Sequence, residues 1–258
     1  MNIVLVCQAR TGSSRLPGKV LLPVAGKPLL VRFLERIRRA KLPTHIVVAT
    51  TTNPEDNIIV DLCTSANVDV FRGHATDLLD RHVKVARTYG AHVVVKVPTD
   101  CPLIDPAVID KVILAHLVAS GVDYTSNLHP PSWPDGNDVE VMDVAALERA
   151  WFEANKDFER EHTTPWLWNA NSNIRCQNVE REDGRRLAAT HRWTIDYPED
   201  YMFVRAVYEC LITKNALFTC DDILELVEER PEIAAMNAHL AGRSWHDAVE
   251  SELKVVYR

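Results

Sequence analysis

None of the six cysteines (Cys7, Cys63, Cys101, Cys176, Cys210 and Cys220) belongs to a C-x-x-C pair or stands at ligand-like spacing from a histidine. That absence excludes the common zinc and dithiol motifs. Several of these cysteines lie in apolar runs, where the side chain serves as a small hydrophobe. No apolar stretch approaches the ~20 residues of a membrane-spanning helix, and no secretory leader pattern is visible. A reduced, cytoplasmic protein with no membrane partner is the expectation. Cations are outnumbered: 29 Lys and Arg against 36 Asp and Glu leave a net charge of −7. Such a balance lacks the basic face of a nucleic-acid binder, so no nucleic-acid partner is expected. No G-x-G-x-x-G follows a strand-like run, and a Walker A loop is absent too. Five residues rather than four separate Gly12 from Gly18-Lys19, and Val20 stands where the magnesium-binding Ser or Thr belongs. Without internal repeats, low-complexity tracts or linkers, the 258 residues, 47% hydrophobic and 25% charged, read as one domain with insertions.

What is present is an alternation of strand-like and helix-period segments, the mark of an α/β fold. Ile3 to Cys7 is an uninterrupted apolar run, as expected for a strand buried on both faces of a parallel sheet. Further strands are expected at His45–Thr50, Val68–Phe71, Ala91–Val97, Val139–Met142 and His191–Ile195. The periodicity predicts helices over Pro28–Ala40, Asn57–Ala66, Asp77–Tyr89, Pro106–Ala119, after Met142 through Ala154, and from Pro198 to about His239. Arg32, Arg36, Arg38, Arg39 and Lys41 fit the solvated outer face of a helix packed through Leu30, Phe33, Leu34 and Ile37. Tyr124–Asp138 reads as a long loop and 171–188 as a polar, exposed excursion.

The first strand runs into a loop rich in glycine and serine that carries three separated cations, Arg10, Arg15 and Lys19. Small residues let backbone N–H groups approach an anion and the cations neutralise it, which describes a polyphosphate cradle. In open α/β sheets, ligands bind outside the carboxyl ends of strands, where this loop lies. Two aspartates, Asp100 and Asp196, close strand-like runs and would face the same crevice. Two bare carboxylates a few ångströms apart repel by roughly 4 kcal/mol, a penalty that a divalent cation between them removes. Each has a plainer role open to it as a helix cap. Asp105 sits that way before Pro106, and Asp196 could do the same for the helix at Pro198.

The N-terminal segment Ala9-Arg-Thr-Gly-Ser-Ser-Arg-Leu-Pro-Gly-Lys19 resembles the signature of the sugar-acid cytidylyltransferases, the 3-deoxy-manno-octulosonate and acylneuraminate enzymes. Asp100-Cys-Pro-Leu-Ile-Asp-Pro106 and Ile195-Asp-Tyr-Pro-Glu-Asp200 are similar to two further family segments, with Thr99 where glycine is usual. Asp123-Tyr-Thr-Ser-Asn127, Pro134-Asp-Gly-Asn-Asp-Val-Glu140 and Arg160-Glu-His-Thr-Thr-Pro165 resemble the subgroup named for a spore-coat polysaccharide biosynthesis protein.

The resemblance implies a mostly parallel mixed sheet flanked by helices, a Rossmann-like nucleotide-diphospho-sugar transferase fold of the GT-A type. It implies an acceptor-binding and dimerisation insertion at about 123–190 and a helical cap at about 198–258. The activity implied is transfer of CMP from CTP to a sugar acid, or to a small phosphate or phosphonate, with release of pyrophosphate. Arg10, Arg15 and Lys19 would hold the triphosphate and stabilise the transition state. Ala9, Gly12, Ser13, Ser14, Thr50, Arg72 and Gly73 would line the nucleotide, though an ordinary turn is an equal reading for Arg72-Gly73. Asp100 and Asp196 would bind Mg²⁺. Asn127, Asp135, Asp138, Glu140, Arg160 and His162 would meet the acceptor, although a salt bridge to Glu161 or a surface histidine accounts equally for Arg160 and His162. Trp166 and Trp168 read as core or dimer contacts. A homodimer is the implied assembly. Two other functions fit the fold: a glycosyltransferase using a nucleotide sugar, which would want an Asp-x-Asp motif where Thr99-Asp100-Cys101 stands, and a non-catalytic nucleotide-binding protein, in which a cation or an aspartate would be lost.

Overall fold

Strand β1 (Ile3–Gln8) has almost no solvent contact. Ile3, Leu5 and Cys7 point to one side of the sheet and Val4 and Val6 to the other, the period of two that a strand imposes. The structure, a computed structural model, describes residues 1–170 and 172–243. After a short antiparallel pair, β2 (Pro23–Val24) and β3 (Lys27–Pro28), come α1 (Leu29–Ile37), β4 (His45–Thr51), α2 (Asn57–Ser65), β5 (Asp69–Gly73), α3 (Leu78–Thr88), β6 (Val93–Lys96) and α4 (Pro106–Val118). Then follow β7 (Tyr124–Ser126), β8 (Glu140–Asp143), α5 (Val144–Glu153), α6 (Asp157–His162), β9 (Cys176–Asn178), α7 (Pro198–Leu211), α8 (Cys220–Glu229) and α9 (Pro231–Ala234).

The seven strands lie in the order β5-β4-β1-β6-β8-β7-β9. From β5 to β6 the pairing is parallel; β8 is antiparallel to both β6 and β7, and β9 runs parallel to β7. This is the mostly parallel, helix-flanked α/β sheet expected. Successive strands spread outward from β1 to β5, then the chain returns to place β6 on β1's other side. The β1/β6 junction is therefore a switch point, and the crevice outside its carboxyl ends is where such sheets take ligands. One sheet face packs on α1, α2 and α4, the other on α3 and α5. A further apolar cluster joins α7, α8 and α9 to Trp193, Ile195, Leu103, Val24 and Leu29, seating the helical cap beside the crevice. The part of the expected cap at 244–258 lies outside the described residues.

Four expectations need correction. Tyr124–Asp138 is not all loop, because Tyr124–Ser126 pairs on both sides within the sheet and its buried Thr125 hydroxyl is satisfied by His116 Nδ1 at 3.0 Å. The 171–188 excursion likewise supplies β9 and buries Val179 and Leu187. The strand foreseen at His191–Ile195 does not form. Its backbone is hooked instead onto two turns, Trp193 N to Asp135 O at 2.6 Å and Ile195 N to Asp100 O at 2.8 Å, leaving a single bridge between Asp135 and Arg192. Arg36 is not on a solvated face. It is 3% exposed, stacks 4.3 Å from the Phe218 ring, and donates to Ile104 O at 2.8 Å and Phe218 O at 2.9 Å.

Candidate active site

Ala9 leaves β1 still bonded to the neighbouring strand through Ala49 O at 3.2 Å, and the loop beyond turns on Thr11. The Thr11 amide and hydroxyl each donate to Asp56 Oδ1 at 2.8 Å, and Thr51 donates to the other carboxylate oxygen. Burial opposes ionisation of Asp56, but the hydrogen bonds from Thr51 and Thr11 outweigh it and hold its carboxyl below the ordinary value. Gly18, at a φ of 68°, closes the loop by donating to Thr11 O at 2.8 Å. Between these anchors Gly12 has open space where a Cβ would stand, and Ser13 and Ser14 complete the rim.

Lys19 projects from the end of this loop into a crossing point of three chain segments. Its Nζ donates to Ile195 O at 2.7 Å, to Asp196 Oδ1 at 3.0 Å and to Asp100 Oδ2 at 3.3 Å. Arg15 Nη2 lies 2.6 Å from the same Asp196 oxygen. The loop after β6 and the segment after Trp193 thus converge on one ammonium because Ile195 N and the Thr194 hydroxyl both bond to Asp100 O. Burial works against Lys19's charge, yet Asp100 and Asp196 more than offset it and raise its pKa. Asp196 moves the other way: burial is outweighed by Lys19 and Arg15, and its carboxyl is held below the usual range. Asp196 does not cap α7. Asp200 does so, accepting from Asp196 N and Tyr197 N at 3.0 Å each, whereas Asp105 caps α4 through Ala107 N at 2.9 Å.

Arg192, which the sequence pattern did not single out, is the hub behind these acids. Its buried guanidinium donates to Asp200 at 2.9 and 3.1 Å, to Asp135 Oδ2 at 3.3 Å and to Asp196 Oδ2 at 3.4 Å. Arg192 stands four residues before Asp196, but an expected strand there gave no reason to turn its side chain inward. Burial and the neighbouring Asp138 push the Asp135 carboxyl up, against the pull of Arg192. Burial, with Asp100 and Glu140 nearby, likewise pushes Asp138 up to about 6, although Gly136 N donates to it at 3.2 Å.

The remaining expected residues divide by location. Thr50 is buried beside Ala49 and its hydroxyl has no partner, as has the Gln8 side-chain oxygen. Arg72 folds back on the end of β4, donating to Thr51 O at 2.9 Å, Asn53 O at 2.8 Å and Asn57 Oδ1 at 2.7 Å. Gly73 is where it is because a Cβ there would meet Arg81 Cγ at 2.8 Å. Arg81, buried and donating to Ala49 O at 2.9 Å, was also missed; burial lowers its pKa to about 10 with Arg10 adding to the effect. Arg10 itself is 3.7 Å from Glu161.

Of the residues expected to meet the acceptor, Glu140 is buried between Lys96 Nζ at 2.5 Å and the Tyr124 hydroxyl at 2.6 Å, and Lys96 also donates to His162 O at 3.2 Å. Arg160 pairs not with Glu161 but with Asp77, at 2.8 and 2.5 Å, and with Trp151 O at 2.6 Å. His162 begins a tight turn in which Thr164 N bonds back to its carbonyl at 2.9 Å, holding Thr163 at a φ of 74°. Asn127 spends both ends of its amide on the 137–139 turn, at 2.6 Å to Asn137 O and 2.9 Å from Val139 N. Trp168 is core and Trp166 packs at its edge.

Among the described residues no three acidic, histidine or cysteine side chains converge to hold an ion. Two carboxylates do share one cation, the Lys19 ammonium, so a hard divalent ion fits this pair provided that further oxygens come from elsewhere.

A cation-bearing loop and paired acids thus meet at the switch point of a mostly parallel sheet. The chain belongs to the cytidylyltransferase family, whose model matches residues 3–231, and is by that membership a CTP-dependent nucleotidyltransferase. It is 32% identical over 237 residues to the spore coat polysaccharide biosynthesis protein SpsF of Bacillus subtilis, covering 90% of this chain and 97% of that one. A solved cytidylyltransferase from Leptospira borgpetersenii superposes with a TM-score of 0.84 at 28% identity, covering 95% of this chain and 98% of that one. CMP:2-keto-3-deoxy-manno-octonic acid synthetase, solved with CTP, shares the fold with a TM-score of 0.61 at 19% identity, over 81% of this chain and 99% of that one.

Proposed function

We propose that the protein transfers CMP from CTP to a small anionic acceptor, a sugar acid or a small phosphate or phosphonate, in activated-sugar or surface-polysaccharide biosynthesis. An acceptor oxygen, giving up its proton to solvent where it is a hydroxyl, forms a new bond to the α-phosphorus. The bond from that phosphorus to the bridging oxygen breaks, and pyrophosphate leaves with the electron pair. The observation that carries this reading is the meeting of Lys19, Asp100 and Asp196 within 3.3 Å although they come from three separate segments. Arg10, Arg15 and Lys19 would hold the triphosphate and neutralise charge as it shifts to the leaving group. Asp100 and Asp196 would hold a Mg²⁺ ion, whose chemistry when bound is to neutralise the departing pyrophosphate. Ala9, Gly12, Ser13 and Ser14 would face the phosphates, with Thr50 and the Arg72-Gly73 turn toward the nucleoside. Asp135, Asp138 and the His162 turn would orient the acceptor. The family resemblance supports a homodimer, which light scattering of the purified chain tests.

The deciding experiment crosses each nucleoside triphosphate with a panel of keto-deoxy sugar acids and small phosphonates and measures pyrophosphate release. Release with CTP that depends on one class of acceptor is expected. Sugar transfer from a nucleotide sugar without pyrophosphate release overturns the reading in favour of a glycosyltransferase. Lys19→Ala should lower turnover by about 10²–10³ in the same assay; turnover within fivefold of the parent removes Lys19 from its role.

A further inference from the structure

Lys19 is held by more than its place in a phosphate cradle calls for. An ammonium has three N–H donors, and all three are spent, on Ile195 O at 2.7 Å, Asp196 Oδ1 at 3.0 Å and Asp100 Oδ2 at 3.3 Å. The Asp196 oxygen that accepts from Lys19 is also 2.6 Å from Arg15, and its second oxygen takes Arg192 at 3.4 Å. Both groups are sheltered, with Lys19 at 12% and Asp196 at 13% side-chain exposure, so water screens little of the interaction.

We infer that Lys19 is the built-in counter-cation of the Asp100–Asp196 pair, standing between the two carboxylates so that the nucleotide-free protein rejects divalent metal and accepts it only together with a triphosphate. The inference rests on the reading that these two aspartates hold the metal. A bare ion meets two obstacles. It must enter beside an ammonium and two guanidiniums, those of Arg15 and Arg192, that repel it. It also finds two carboxylates where a magnesium-like ion wants six oxygens, since no third acid joins them among the described residues. A triphosphate removes both obstacles at once. Its oxygens offer Lys19 and Arg15 new partners, which frees Asp100 Oδ2 and Asp196 Oδ1 while Arg192 keeps the other Asp196 oxygen, and they complete the ion's shell. Metal and nucleotide are then coupled through an exchange of partners, and the coupling is reciprocal.

The test is titration of the nucleotide-free protein with Mn²⁺, following the free-ion signal by electron paramagnetic resonance. Removing the ammonium in Lys19→Ala, or in the longer Lys19→Met, should tighten Mn²⁺ binding at least tenfold. Lys19→Arg, which keeps a cation there, should stay within threefold of the parent. Adding Asp100→Asn to Lys19→Ala should abolish the gain. Lys19→Ala and Lys19→Met binding Mn²⁺ no better than the parent, or a gain that survives Asp100→Asn, overturns the inference. A parallel equilibrium dialysis of CTP with Mn²⁺ against the parent separates the two readings. If the parent fails to bind CTP with metal, the nucleotidyl-transfer reading falls. If it binds them while the lysine variants show no gain, only the counter-cation role falls.

Discussion

At the scale of single residues, the site is built by backbone hooks that place side chains chosen far apart in the chain. Gly136 shows how tight the fit is. At a φ of 108°, it lies where a Cβ would come within 2.7 Å of Thr194 N and Trp193 C, both backbone atoms that cannot step aside. Gly136→Ala should therefore cost about 3 kcal/mol in urea unfolding, through strain and overpacking. It should also weaken the hold of the 134–138 turn on the segment that carries Asp196. Arg10 and Asp100 were legible as positions at the crevice because each follows closely on an apolar strand, β1 or β6, whereas Asp196 was read from a strand that does not form and reaches Lys19 because Ile195 N is hooked onto Asp100 O. Arg192 and Arg81 were not legible. Each is a cation in a segment whose pattern gave it no inward direction, and only the tertiary fold supplies the carboxylates and carbonyls that draw it inside.

Elements were read best where one pattern dominates and worst where pairing partners decide. Helices α1 to α5 and strands β1, β4 and β6 have the periodicity to declare themselves, α3 and α4 with Asp77 and Asp105 as caps besides, and the structure moves their ends by only a few positions. The three-residue strands β7 and β9 are polar and short. Pairing makes them strands, β7 with β8 on one side and with the edge strand β9 on the other, a long-range fact that local pattern does not contain. Arg36 on α1 ties Leu103, Ile104 and Phe218 carbonyls together. Arg36→Ala should cost about 3 kcal/mol by leaving those acceptors dry, measured as a shift in urea midpoint. Within α3, His82 is fully enclosed, bonded through Nδ1 to Leu78 O at 2.8 Å and with Nε2 unpartnered. Burial lowers its pKa from 6.5 to about 3. Because the folded value is depressed for a base, the stability it contributes is present above pH 6.5 and lost as pH falls toward 3. The parent should lose about 1.4 kcal/mol per pH unit over that window relative to His82→Leu, as read from urea unfolding at each pH.

For the whole molecule, the crevice is the seam where sheet, insertion and cap meet. Asp100 belongs to the loop after β6, Asp135 to the segment between β7 and β8, and Asp196 to the run that leads into the cap helix α7. A ligand that bridges them stabilises the entire fold. CTP with Mg²⁺ at a hundred times its dissociation constant should add about 2.7 kcal/mol, a rise of roughly 5–10 °C in the thermal midpoint for a chain of this size. Calorimetry checks this, and Asp100→Asn should erase the rise.

Cys101 adds a use for that seam. Its thiol, 1% exposed and 3.8 Å from an Asp100 oxygen, is pushed far up in pKa by burial and by the surrounding acids. In the closed molecule it should resist alkylating reagents. Its labelling should require the loop bearing Asp100 to lift, so the rate of alkylation is expected to clock the breathing of that loop, and occupancy of the crevice should slow the clock.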